Sequence, residues 1–176
     1  MKNNIVLCGF MGCGKSTVGK ILAQRLNYTF VDTDSLIENK ENMSVSAIFS
    51  EKGEQYFRSA ESKVAEELSA KDSLVIATGG GMMLCEENAE NLNKTGLTFW
   101  LRVTPKTVIE RLKNDTSRPL LQRDDKETAI KELMEIREPI YKAVCRHHIE
   151  AGGDASGVAD CILKVISSTT PSLDIF

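Results

Sequence analysis

What this sequence lacks narrows what it can be. There is no C-x-x-C pair: the five cysteines, Cys8, Cys13, Cys85, Cys145 and Cys161, are odd in number and widely spaced. That pattern indicates neither a disulfide framework nor a zinc site, and it points to a reducing cytoplasm. Basic residues are not in excess. The formal net charge of -3 and pI near 5.5 give no electrostatic footprint for nucleic acid or an anionic membrane. Any anion must therefore be captured by local geometry. No apolar run approaches a membrane span. The first residues loosely resemble a secretion signal, but Gly12, Gly14 and Lys15 interrupt the apolar stretch too early. Repeats, linkers and low-complexity blocks are also missing. At 176 residues, with 41% hydrophobic and 27% charged, residues 1–176 read as one domain with a single core.

What is present begins with Gly9-Phe10-Met11-Gly12-Cys13-Gly14-Lys15-Ser16-Thr17, which fits G-x-x-x-x-G-K-[ST] directly after the apolar run Ile5 to Cys8. The glycines let the backbone turn tightly. The N–H groups of Gly12, Cys13, Gly14, Lys15, Ser16 and Thr17 then point at an anion beside the positive end of a helix dipole. Lys15 would reach the β- and γ-phosphates of ATP, and Ser16 would hold Mg²⁺. A Gly-rich turn with an exposed lysine is the plainer alternative.

Short apolar runs alternate with longer helical patterns, which argues for βαβ units and a parallel sheet covered on both faces. Strands are predicted at 4–8, 28–31, 74–77, 97–101 and 148–151. Helices are predicted near 15–26, 45–52, 54–70, 86–93, 105–112, 126–138 and 158–167. Ser44 and Thr104 read as caps, and Pro139 should kink or interrupt its helix. Residues 114–125 carry charge without periodicity and read as a mobile lid, and 168–176 as a frayed tail.

Downstream of the loop, Asp32 and Asp34 stand two apart where a strand would end, so an extended segment would project both carboxylates to one side. One could assist Ser16 with Mg²⁺, and the other could take a proton from an acceptor hydroxyl. A solvated turn would use the same residues. Glu54, Arg58 and Glu61 share a helix face, which is usually a surface salt-bridge set. An arginine held by acids for a substrate carboxylate is the functional alternative. Thr78-Gly79-Gly80-Gly81 ends a strand without an acid, either as a flexible turn or as backbone open to a small ligand. Arg111 and Arg118 flank the lid segment, and Arg118 could close over a transferring phosphoryl group. Arg137 could be the second half of a carboxylate clamp. Trp100, His147 and His148 read as structural.

Taken together, the P-loop, Asp32-x-Asp34, Gly53-x-x-x-Phe57-Arg58, Gly79-Gly80-Gly81, Arg118-Pro119-Leu120-Leu121 and Arg137-x-Pro139-x-Tyr141 resemble the shikimate kinases in order and spacing. The resemblance implies an α/β, nucleoside-monophosphate-kinase-like three-layer fold with a five-stranded parallel sheet of order 2-3-1-4-5. It also implies transfer of the ATP γ-phosphate to the 3-hydroxyl of shikimate. A cytoplasmic monomer that needs neither nucleic acid nor membrane is the expectation for the whole chain. By matching position, Lys15 contacts phosphates, Ser16 and Asp32 serve Mg²⁺, and Asp34 binds the acceptor hydroxyl as candidate base. Arg58 and Arg137 would grip the shikimate carboxylate, with Gly80 and Gly81 lining its pocket. Arg118 would come from the lid, and Arg111 resembles the arginine that stacks on adenine. One departure is that the loop Gly152 to Ser156 carries no proline where some members place one against the adenine. A gluconate-type kinase of the same fold and a catalytically silent nucleotide-binding regulator are the alternatives.

Overall fold

Every residue of the first strand, β1 (Asn4–Cys8), is buried, as expected of a strand covered on both faces. A computed structural model describes residues 4–113 and 125–169 of the chain. Four further strands join β1: β2 (Thr29–Asp32), β3 (Leu74–Ala77), β4 (Gly96–Arg102) and β5 (His147–Glu150). All pair in parallel, in the order β2-β3-β1-β4-β5. The predicted order is therefore observed, with strand ends shifted by a residue or so.

Among the described residues eight α-helices flank the sheet: α1 (Lys15–Leu26), α2 (Thr33–Glu41), α3 (Val45–Lys52), α4 (Glu54–Ser69), α5 (Glu86–Thr95), α6 (Pro105–Arg111), α7 (Lys126–Val144) and α8 (Ala155–Thr169). Val18 and Leu22 of α1 and Val64 and Leu68 of α4 enter one apolar core with Leu7, Ile76 and Phe99 of the strands. The predicted caps are present. Ser44 Oγ accepts the Ala47 N–H at 3.2 Å, and Thr104 Oγ1 accepts the Thr107 N–H at 3.3 Å.

Three local readings are corrected. Residues 33–41 form α2, a helix that the sequence pattern did not suggest. Pro139 does not end its helix, and α7 runs unbroken from Lys126 to Val144. Ser168 and Thr169, read as tail, are the last residues of α8, which begins at Ala155 rather than 158. Residues 114–124 of the expected lid, with Arg118, and residues 170–176 lie outside the described residues.

This topology fixes where a ligand goes. β1 continues the chain into the Gly9 to Thr17 loop, with β3 on one side and β4 on the other. Strand order reverses there, and the carboxyl edge at such a reversal is where open α/β sheets bind ligands.

Candidate active site

The phosphate-type loop connects β1 to α1, and its geometry depends on glycine. Gly14, the residue capping α1, has φ 101°, and it brings no side chain to the first-turn amides of the helix. Those N–H groups are left to face an anion at the positive helix end. Lys15 Nζ lies back over the same loop, donating to the carbonyl oxygens of Gly9 at 2.8 Å and Phe10 at 3.1 Å. The loop lines a cavity of about 780 Å³ that also reaches Asp32, Asp34 and Arg111.

The two aspartates are not side by side on an extended strand, which corrects the sequence expectation. Asp32 ends β2 and caps α2: its Oδ1 accepts the N–H groups of Asp34 at 3.1 Å and Ser35 at 3.3 Å. Its other oxygen, Oδ2, accepts the Ser16 hydroxyl at 2.7 Å, tying α2 to the phosphate-type loop. Asp34 belongs to the first turn of α2 and turns the other way, toward the glycines after β3. A Cβ at Gly79 would collide with Asp34 Oδ1 and lie 3.1 Å from Glu61 Oε1. Glycine is thus required there for the acid to reach its place. Thr33 Oγ1 fixes this approach by accepting the Gly79 N–H at 2.8 Å.

A smaller pocket of about 70 Å³ adjoins the first, lined by Phe49, Phe57, Arg58, Gly81 and Arg137. It shares Met11, Asp34, Val45 and Gly80 with the larger cavity. Glu54, Arg58 and Glu61 are not wholly a surface set: Glu54 is exposed, Arg58 half-buried and Glu61 buried. Glu61 is 1% exposed, and its Oε2 accepts from Arg58 Nη1 at 2.6 Å, while Glu54 Oε1 accepts from Arg58 Nη2 at 2.8 Å. Burial would lower the Arg58 pKa, but the Glu61 and Glu54 carboxylates more than offset it and raise it. Burial pushes the Glu61 carboxyl above its ordinary value, against the pull of Arg58, and the charge of Asp34 adds to the rise. Arg137 is buried on α7, its guanidinium 5.7 Å from the centre of the Phe10 ring.

All the sequence-predicted site residues except Arg118 therefore line one of two adjoining cavities. Gly12, Cys13, Gly14, Lys15, Ser16, Thr17, Asp32 and Arg111 face the large one, Arg58, Gly81 and Arg137 the small one, and Asp34 and Gly80 both. Arg111 donates to the carbonyl oxygens of Gly12 at 3.0 Å and Ala151 at 3.4 Å, bridging the loop and the chain after β5. Sequence reasoning placed Met11, Phe57 and Gly79 inside quoted motifs without singling them out as site residues, and it gave no site role to Val45, Phe49 and Thr33. Tyr141 stood within a quoted motif, but only the fold shows its hydroxyl bonded to Gly80.

The family model described as shikimate kinase matches residues 11–167. A shikimate kinase of Thermodesulfovibrio yellowstonii is 48% identical over 139 residues, covering 79% of this chain and 80% of that protein. The structure of shikimate kinase from Acinetobacter baumannii in complex with shikimate superposes with a TM-score of 0.92 at 37% identity, covering 97% of this chain and 95% of that one. A gluconokinase from Sinorhizobium meliloti, at 14% identity, TM-score 0.59 and coverage of 98% and 95%, shares the fold alone.

Proposed function

The chain belongs to the shikimate kinase family, and from that premise we infer that it transfers the γ-phosphate of ATP to the 3-hydroxyl of shikimate. The products are shikimate 3-phosphate and ADP, within the route to chorismate and the aromatic amino acids. The observation that carries this reading is the position of Asp34 on the wall common to the two cavities. A donor in the large cavity and a small acid in the other would meet at that carboxylate.

The proposed step is an in-line displacement. The 3-hydroxyl oxygen forms a bond to the γ-phosphorus, the bond to the β,γ-bridging oxygen breaks, and ADP leaves with the electron pair. Asp34 orients the hydroxyl and takes its proton. Arg58, stiffened by Glu54 and Glu61, and Arg137 hold the shikimate carboxylate as fixed guanidinium donors. Such placement supplies most of what phosphoryl transfer needs, because the reaction requires positioning and charge neutralisation more than covalent help. Lys15 is proposed to leave its loop carbonyls for the β- and γ-phosphates, while Arg111 lines the base end and Arg118 adds positive charge over the transferring group. Ser16 and Asp32 suit Mg²⁺: their oxygens are 2.7 Å apart, and hard oxygen donors completed by substrate phosphates are what this ion takes. When bound, Mg²⁺ neutralises charge on the phosphate chain.

All these groups come from one chain, so a monomer suffices, and the cytoplasm is the setting that fits a biosynthetic kinase of this family. No helix among the described residues is long and apolar enough to cross a membrane. The deciding experiment is ADP release from ATP-Mg²⁺ with shikimate, quinate or gluconate as acceptor. Turnover with shikimate above the other two is expected, and turnover with gluconate but not shikimate would overturn the reading.

A further inference from the structure

Tyr141 is buried within α7, one turn after Arg137. Its hydroxyl donates to the carbonyl oxygen of Gly80 at 2.5 Å, and Arg137 Nη1 approaches the same oxygen at 3.5 Å. Burial raises the phenol pKa, so this hydroxyl remains a donor throughout the working pH range. Its ring is fixed against Trp100, with centroids 6.2 Å apart. Gly80 and Gly81 both line the small pocket, and a Cβ on Gly81 would strike Arg58 Nη1.

Peptide geometry gives that hydrogen bond a consequence. The Gly80–Gly81 peptide is trans, as are all described peptide bonds, and in a trans peptide the C=O and the following N–H point in opposite directions. Two glycines in succession leave the orientation of this peptide plane almost free. A hydroxyl that holds the Gly80 oxygen therefore also fixes the direction of the Gly81 N–H, in a peptide that lines the pocket beside Arg58.

We propose that Tyr141 is a positioning residue for the acceptor: by locking the Gly80–Gly81 peptide, it aims the Gly81 N–H at the shikimate carboxylate between Arg58 and Arg137. The proposal rests on the small pocket being the shikimate site, and wild-type turnover with shikimate in the same assay tests that premise separately. It assigns the hydroxyl to acceptor binding rather than to ATP or to the chemical step.

The test is Tyr141→Phe, which deletes one oxygen and keeps the ring. KM for shikimate should rise roughly tenfold, the usual worth of a hydrogen bond to a charged group. KM for ATP and kcat should stay within about twofold of wild type, since what is lost is binding held equally in ground and transition states. The shikimate analogue with a primary alcohol in place of the carboxylate supplies the decisive comparison, because the penalty should largely vanish for it. Calorimetric titration with shikimate alone should show the same loss of affinity without relying on turnover. An unchanged KM for shikimate, an equal penalty for the alcohol, or parallel rises in both KM values would overturn the proposal. So would a variant that fails to fold, since it would assign the hydroxyl to stability instead.

Discussion

At the scale of single residues, the site sets carboxylates beside arginines and beside one another in partly buried positions, and Asp34 and Glu61 show two ways this matters. Asp34 should be needed for turnover and not for the nucleotide. Asp34→Asn keeps shape and hydrogen-bonding capacity but cannot take a proton, so kcat should fall by about 10²- to 10⁴-fold, with ATP affinity changed by less than threefold. Steady-state kinetics beside an ATP titration check this, and near-normal turnover would remove Asp34 as base. Glu61 carries the pH dependence. Its folded pKa is raised, chiefly by burial, so folding favours its protonated form. The contribution to stability is present below the ordinary carboxylate value and is lost as pH rises through the raised one. Urea melts of wild type and Glu61→Gln at several pH values should therefore show the stability of wild type relative to the variant falling as pH climbs above about 4.5. A constant difference would mean that Arg58 fully compensates the buried charge. The approach of Glu61 to Asp34 behind Gly79 could not be read from spacing. One residue is on α4, the other on α2 and the glycine after β3, and only the sheet order makes them neighbours.

At the scale of elements, most of the fold was legible because strands covered on both faces are almost wholly apolar, and the P-loop declares its own strand and helix. The element that escaped was α2, and the reason is physical. Thr33-Asp34-Ser35-Leu36-Ile37-Glu38-Asn39-Lys40-Glu41 has two adjacent apolar residues and no recurring stripe, so helical periodicity is invisible. What makes it a helix is its beginning, where Asp32 accepts two first-turn amides. The same carboxylate also accepts from Ser16, so one side chain has a structural and a proposed metal-binding task, and substitution can separate them. Asp32→Ala should cost about 1 kcal/mol through loss of the cap. Asp32→Asn, which caps as well, should melt within a few tenths of a kcal/mol of wild type. Both variants should lose most activity, because neither offers a charged oxygen beside Ser16. Melts and initial rates on the pair decide the matter, and full activity in Asp32→Asn would free Asp32 of any metal role. At Pro139 the expected interruption does not occur. Proline inside a helix removes one hydrogen bond and crowds the carbonyl a turn earlier, at a cost of about 3 kcal/mol, while Arg137 and Tyr141 on either side are buried against the Gly80 loop. Tertiary anchoring of both flanks outweighs the local defect, and no single-sequence rule carries that information.

At the scale of the whole molecule, the two cavities lie at the carboxyl edge of one sheet but depend on different parts of it. The large cavity needs the β1–α1 loop and Lys15, and the small pocket needs α3, α4 and α7 with Arg58 and Arg137. They meet at Met11, Asp34, Val45 and Gly80, so each ligand should bind without the other, and each should stabilise the fold by mass action. At about one hundred times its Kd a ligand contributes about 2.7 kcal/mol, which raises Tm by roughly 5–10 °C in a chain of this size. Thermal melts with ATP-Mg²⁺ or shikimate alone should both show such a rise in the wild type. Lys15→Met should abolish the rise with nucleotide and keep that with shikimate, because it removes the only flexible cation of the loop and touches nothing in the small pocket. Arg58→Ala should do the reverse. If either substitution removed both rises, the cavities would be one cooperative unit, and the division of labour drawn from the sheet topology would be wrong.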